Sequence, residues 1–299
     1  MPQDAPLVPV PVPELDIDPF CDAFLADPHP HHAAIRDAAP VVRLPRYGCW
    51  AVGRYDEVRA ILLDWESFGS SRGVGLTDYK THPPYRGPSL VLETDPPLHT
   101  HRRAVMNDVL SPAALRALRP RFAREAAALA ERLVASGSCD GVRDIAEAYP
   151  LTVFPDALGM AEQGRECLLP YGNFVFNAIG PRNALLEASL AELPPLNAWV
   201  VRQTARDALS PDGFGAAIYA AADRGEIGMD EAPLLVRSLL SAGVDTTVNG
   251  LAAALFCLAR FRSSGRGCAP SRALPAPPSR RRFASRAPCR RSSVSRRAT

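Results

Sequence analysis

No run in this chain approaches the roughly 18 to 20 consecutive apolar residues that a membrane helix needs. The N-terminus, MPQDAPLVPVPVPELDIDPF, has neither a basic start nor an apolar signal core; it is acidic and rich in proline. These absences argue against a membrane span and a secretory signal, and a cytoplasmic location is expected. Among Cys21, Cys49, Cys139, Cys167, Cys257, Cys268 and Cys289 there is no C-x-x-C pair, and the closest two stand eleven apart. Neither a zinc site nor a disulfide framework is expected, and no residue is assigned to a metal. Asp, Glu and Lys are missing from residues 262–299, which hold eleven arginines. The net charge of +2 over 299 residues therefore conceals −9 over residues 1–261. With 47% hydrophobic and 22% charged residues, the chain has the material for a large core.

What is present is mostly helix. HHAAIRDAA (31–39) has helical character, VVRLP and CWAVG around Arg46-Tyr47-Gly48 read as a small hairpin, and YDEVRAILLD (55–64) repeats apolar residues at helical spacing. Residues 65–97 are rich in Gly, Pro and Ser without a steady period, and a connection of that length points to a binding loop. From Leu98 onward helix follows helix. Ser111 and Pro112 form an N-cap with proline in the first turn, and that helix should stop at Ser136-Gly137. Further helices are expected over about 141–148, 164–179, 184–208 and 212–223. The most apolar, about 231–261, would be one helix of ~46 Å at the centre of the fold. The fold class is mainly α with a small β region.

Two stretches carry chemistry. In D-P-P-L-H-T-H-R-R (95–103) His99 and Arg103 fall four apart on one helix face, two cations suited to a carboxylate or phosphate. A solvated basic helix start is the plainer alternative. In S-A-G-V-D-T-T (241–247) Gly243 and Asp245 both break local rules inside an apolar helix. Ala242 and Gly243 would leave room for a flat ligand, and the Thr246 hydroxyl can bond back to the Ala242 carbonyl and widen the helix. An acid beside a hydroxyl in a dry groove is what a proton relay needs. A packing glycine next to an interhelical hydrogen bond accounts for the same residues. His29, His31 and His32 read as a solvated proline-rich start, and Cys257 as core.

D-P-P-x-H-T-x-x-R followed by A-G-x-D-T-T resembles the cytochrome P-450 family, and SSRGVGL, PSLVLETDPP, EAYPLTVFPDALG and LLPYGNFVFNAIGP are similar to bacterial para-substituted benzoate monooxygenases. The resemblance covers about residues 14–261 and implies a partial P-450 fold, from the N-terminal part through helix I. It implies haem b as cofactor, with His99, Arg103, Ala242 and Gly243 around it and Asp245 and Thr246 delivering protons. It implies a small aromatic carboxylate such as 4-methoxybenzoate as substrate, held by Arg86, Ser89, Arg237 and Ser238 against Leu92, Phe176 and Ile179; ordinary surface arginines are the alternative. Dioxygen, an iron-sulfur ferredoxin and its reductase would be the other partners.

The family's cysteine loop, F-x-x-G-x-x-x-C, and the E-x-x-R helix before it are not found; Cys268 and Cys289 sit among Arg, Pro and Ser. Residues 262–299 have the composition of an out-of-frame reading of a GC-rich gene. Shifted codons drawn from Ser279–Thr299 can spell EEAVRVESPVQTFFRLATRDV, which contains E-x-x-R. The expectation is a P-450 domain over 1–261 and an out-of-frame, disordered tail over 262–299, lacking the thiolate that promotes O–O cleavage. The chain as written would be inactive, and its last helix would be left partly uncovered and prone to aggregation. Retranslation of the gene past codon 261 in the other frames should recover the cysteine loop, and failure in every frame would remove this expectation. Two alternatives stand beside it: a non-catalytic remnant, and a nucleic-acid binder acting through the basic tail. The tail lacks lysine and helical spacing and holds a single aromatic, Phe283, which favours the frame explanation over a binding arm.

Overall fold

The structure is a computed structural model and describes residues 11–261. The arginine-rich segment and the shifted-frame reading placed on it lie outside the described residues. The chain divides into two compact units, one ending at Gly69 and one beginning at Ser70.

In the first unit, α1 (Asp22–Ala26) and α2 (His29–Ala38) precede β1 (Val42–Leu44), β2 (Cys49–Ala51) and α3 (Tyr55–Leu63). The strands pair antiparallel, Val42 with Ala51 and Leu44 with Cys49. Gly48 at φ 60° supplies the left-handed residue that the reversal between them requires. The expected hairpin is in place, and α1 is an addition to it. The histidines are drawn into packing, His31 stacking on Phe24 at 4.9 Å. The Tyr47 hydroxyl donates to Asp18 at 2.6 Å; burial, then that carboxylate, push the phenol up to about 12.

The second unit begins with the irregular loop and continues through eight helices: α4 (Leu98–Val109), α5 (Pro112–Ser136), α6 (Ala148–Leu158), α7 (Leu168–Asn177), α8 (Ala184–Gln203), α9 (Phe214–Asp223), α10 (Ala232–Gly243) and α11 (Asp245–Arg260). The Ser111 hydroxyl caps α5, accepting from the Ala114 amide, and Gly137 at φ 74° ends it. Residues 141–147 are wound wider than an α-helix and run directly into α6. This corrects the expectation of a helix stopping near residue 148. Pro150 and Pro155 argue against a continuation, but both rings are fully buried and their packing offsets the disfavoured backbone.

The core forms where α10 packs against α6, α7 and α9. Ala232, Leu235, Val236, Leu239 and Leu240 repeat at three- and four-residue spacing and are all buried. The expected single helix over about 231–261 is corrected to two, α10 and α11, meeting at Val244 with φ −89° and ψ −68°. The cause is local: Thr246 and Thr247 hydroxyls donate to the carbonyls of Ala242 and Gly243, each at 2.7 Å, and such back-bonding bends helices. Beyond the break only Asp245 and Val248 of α11 are buried, and Phe256 is 66% exposed. Together the two helices are long and apolar enough, by length and composition, to cross a bilayer. The apolar face of α10 is instead the centre of the core.

Candidate functional site

The loop is held in shape by two buried or half-buried carboxylates. Asp95 accepts the Ser70 and Ser71 amides at 2.7 and 3.0 Å, and those bonds keep its pKa below the usual carboxylate value. Its own carbonyl then accepts the His99 amide and starts α4. The Asp of D-P-P is thus a clasp for the loop. Glu93, with no exposed side-chain surface, accepts from the Ser89 amide at 2.6 Å, the Tyr79 hydroxyl at 3.3 Å and both terminal nitrogens of Arg86.

At the far end of the loop the Leu76 amide donates to the Ile179 carbonyl at 3.0 Å. Gly75 allows that approach, because a Cβ there would stand 2.4 Å from the same carbonyl oxygen. The loop therefore closes over the end of α7.

Beneath it lies a cavity of about 530 Å³. All seven residues expected to bind substrate line it: Arg86, Ser89 and Leu92 from the loop, Phe176 and Ile179 from the end of α7, and Arg237 and Ser238 from α10. The Ser89 and Ser238 hydroxyl oxygens are 3.3 Å apart. Ser238 donates its proton to the Leu234 carbonyl at 2.9 Å, so Ser89 is the donor between them. Arg237 reaches the Pro88 carbonyl at 3.5 Å and forms no ion pair among the described residues. Tyr171, Phe174 and Leu239 extend the apolar wall. Burial pushes the Tyr171 phenol above its ordinary pKa, and the Arg237 and Arg86 charges pull it part of the way back. Sequence reasoning missed Tyr171, since a tyrosine in an apolar helix carries no signal of its own.

The residues expected around the cofactor are divided. Arg103, Ala242 and Thr246 line the same cavity, and the Arg103 Nε donates to Asn107 at 3.1 Å. His99 is half-buried one turn before Arg103 and lies outside the lining. Gly243 is a correction: a Cβ there would stand 2.0 Å from the Phe154 ring, so its missing side chain admits Phe154 of α6 and not a flat ligand. Asp245 is 7% exposed, accepts Asn249 Nδ2 at 3.2 Å and is absent from the lining, so the acid and hydroxyl of the expected relay do not open onto one cavity. Thr246 alone of that pair does. The back-bond from Thr246 to Ala242 is the one the spacing predicts.

These features fit part of a porphyrin site. A cation and the small Ala242 at the cavity wall suit a propionate and a close planar face, while no cysteine among the described residues lines the cavity.

The arrangement of helices is that of solved cytochrome P-450 structures. The structure of CYP109E1 from Bacillus megaterium in complex with testosterone matches at TM-score 0.66 and 22% identity, covering 83% of this chain and 64% of that one. The structure of CYP109Q5 from Chondromyces apiculatus matches at TM-score 0.64 and 24% identity, covering 84% and 63%. No family model matches the chain. Among curated proteins, the cytochrome CYP199A2 of Rhodopseudomonas palustris is 55% identical over 251 residues, 84% of this chain and 61% of its own length. Cytochrome P-450 107B1 of Saccharopolyspora erythraea is 29% identical over 246 residues, 78% and 60%. The chain belongs to the cytochrome P-450 family, and it spans about three-fifths of the length of these curated relatives.

Proposed function

We propose that the cavity binds a small aromatic carboxylic acid for oxidation by a haem monooxygenase of which this chain forms the substrate-binding part. The observation that carries the reading is one cavity that brings the Arg86 and Arg237 guanidinium groups and the Ser89 and Ser238 hydroxyls together beside a mainly apolar wall. A buried carboxylate needs charge-assisted donors, and an aromatic ring needs the rest. Arg237 and Arg86 hold the acid. Ser89 turns its O–H from Ser238 to the ligand, while Ser238 keeps its own O–H donated to the Leu234 carbonyl. Leu92, Phe176 and Ile179 exclude water from the ring and aim its far end along the cavity.

Haem b, the cofactor of this family, supplies the activation of dioxygen when bound. Arg103, with His99 behind it, would hold propionates, and Ala242 would admit the ring. Thr246 Oγ1 holds a proton against the Ala242 carbonyl at the cavity wall. Electrons from an iron-sulfur ferredoxin and its reductase, and a cytoplasmic location, belong to the same reading.

Calorimetric titration of the full chain with 4-methoxybenzoate tests it. Replacing Arg237 with alanine is expected to weaken binding about ten- to hundredfold, the loss of a charge-assisted hydrogen bond worth about 1.5–3 kcal/mol. Equal affinity of wild type for 4-methoxybenzoate and its neutral amide would remove the reading.

A further inference from the structure

We propose that Glu93, which does not line the cavity, is a positioning residue that fixes the charge of its polar end at a single positive unit and so selects monoanions. The proposal rests on the aromatic-acid reading and deepens it.

The pairing is complete on the carboxylate side. Glu93 is closed off from solvent and saturated by Ser89 N–H, Tyr79 O–H and Arg86. Arg86 shows the opposite condition. Its two terminal nitrogens are directed to Glu93, and its Nε is a buried donor without a partner. Arg86 thus reaches the cavity already neutralised, with its orientation set and one donor left over. Arg237 is the cation that remains, close to Gly87 at 3.6 Å from where a side chain would start and without an ion pair among the described residues. Of the three guanidinium groups in the lining, Arg103 is the one assigned above to a propionate, so Arg86, Arg237 and Glu93 leave one charge to be balanced by the substrate. A neutral ligand leaves Arg237 uncompensated, a monoanion balances it, and a dianion adds an unpaired negative charge in a half-buried site.

The same loop geometry explains how Glu93 also sets the donors. Its oxygen fixes the Ser89 amide, and the Ser89 hydroxyl in turn accepts the Val91 and Leu92 amides at 3.3 and 3.2 Å. The Ser89 oxygen is therefore held in place while its proton is free to turn.

The test is a charge ladder measured by calorimetry at neutral pH on the full chain. The probes are 4-methoxybenzamide, 4-methoxybenzoate and 4-methoxyphthalate, whose two carboxylates lie side by side. Wild type should prefer the benzoate over both others. Glu93→Gln keeps the shape and an acceptor oxygen but removes the charge, and it should move the benzoate-to-phthalate ratio toward the dianion by ~10-fold. Arg237→Gln should move preference toward the amide. A benzoate-to-phthalate ratio unchanged in Glu93→Gln, a uniform weakening of all three ligands, or loss of cooperative unfolding in that variant would assign Glu93 to the fold alone and overturn the proposal. If wild type itself shows no preference for the benzoate over the amide, the aromatic-acid reading fails instead.

Discussion

Gly243→Ala should destabilise the protein although it improves the helix. In an exposed helix interior the exchange gains roughly 1 kcal/mol. Here the new methyl carbon would meet Phe154 at 2.0 to 2.4 Å from three ring atoms, and overpacking of that kind costs about 1–3 kcal/mol or more. The clash outweighs the propensity because Phe154 sits on α6, in contact with α10, and has packed neighbours of its own. The sign should reverse when the ring is removed. In a Phe154→Ala background Gly243→Ala is expected to be stabilising by up to roughly 1 kcal/mol. Urea unfolding of the four chains, followed by circular dichroism, gives the coupling directly. A Gly243→Ala chain more stable than its parent in both backgrounds would show that the ring does not define this position.

That glycine marks where sequence reasoning stops. The rule it breaks was visible, and so was the Thr246 back-bond, because both depend on residues within four positions. Its partner was not, since Phe154 approaches from another helix and no periodicity connects the two. The break at Val244 was hidden for a related reason. An apolar run reads as one helix unless two consecutive hydroxyls are known to turn inward onto their own backbone, as Thr246 and Thr247 do. The Pro150–Pro155 segment shows the reverse error, a local rule overruled by burial of both rings.

The site was more legible than the fold around it. Its seven substrate-side residues were named from resemblance, and the structure brings them to one cavity although they come from three separate segments. Spacing alone could not have done this, because Ser89 and Ser238 share no element. What the sequence concealed was the charge balance. Arg86 reads as a free cation in a loop, yet its terminal nitrogens belong to Glu93, seven residues on. The D-P-P aspartate reads as a helix start and is in addition the clasp on Ser70 and Ser71. In both cases a carboxylate organises the loop backbone, and the arginine and the helix it supports inherit their placement.

Stability should be distributed unevenly along the broken helix. Leu235 in α10 has no exposed surface and stands in the shared core with Ile218 and Val236. Leu235→Ala is therefore expected to cost about 2–5 kcal/mol, transfer and cavity terms together. Phe256 in α11 is larger and equally apolar but 66% exposed, and Phe256→Ser should change stability by no more than about 0.5 kcal/mol. Hydropathy makes no such distinction, since both residues belong to one apolar stretch. The difference comes from what packs on each side of Val244: α6, α7 and α9 surround α10, whereas in α11 Asp245 and Val248 alone are buried and Leu251, Ala252 and Leu255 are partly covered. Chemical denaturation of the two variants beside the parent decides the matter. Comparable losses at both positions would mean that α11 is as deeply engaged as α10.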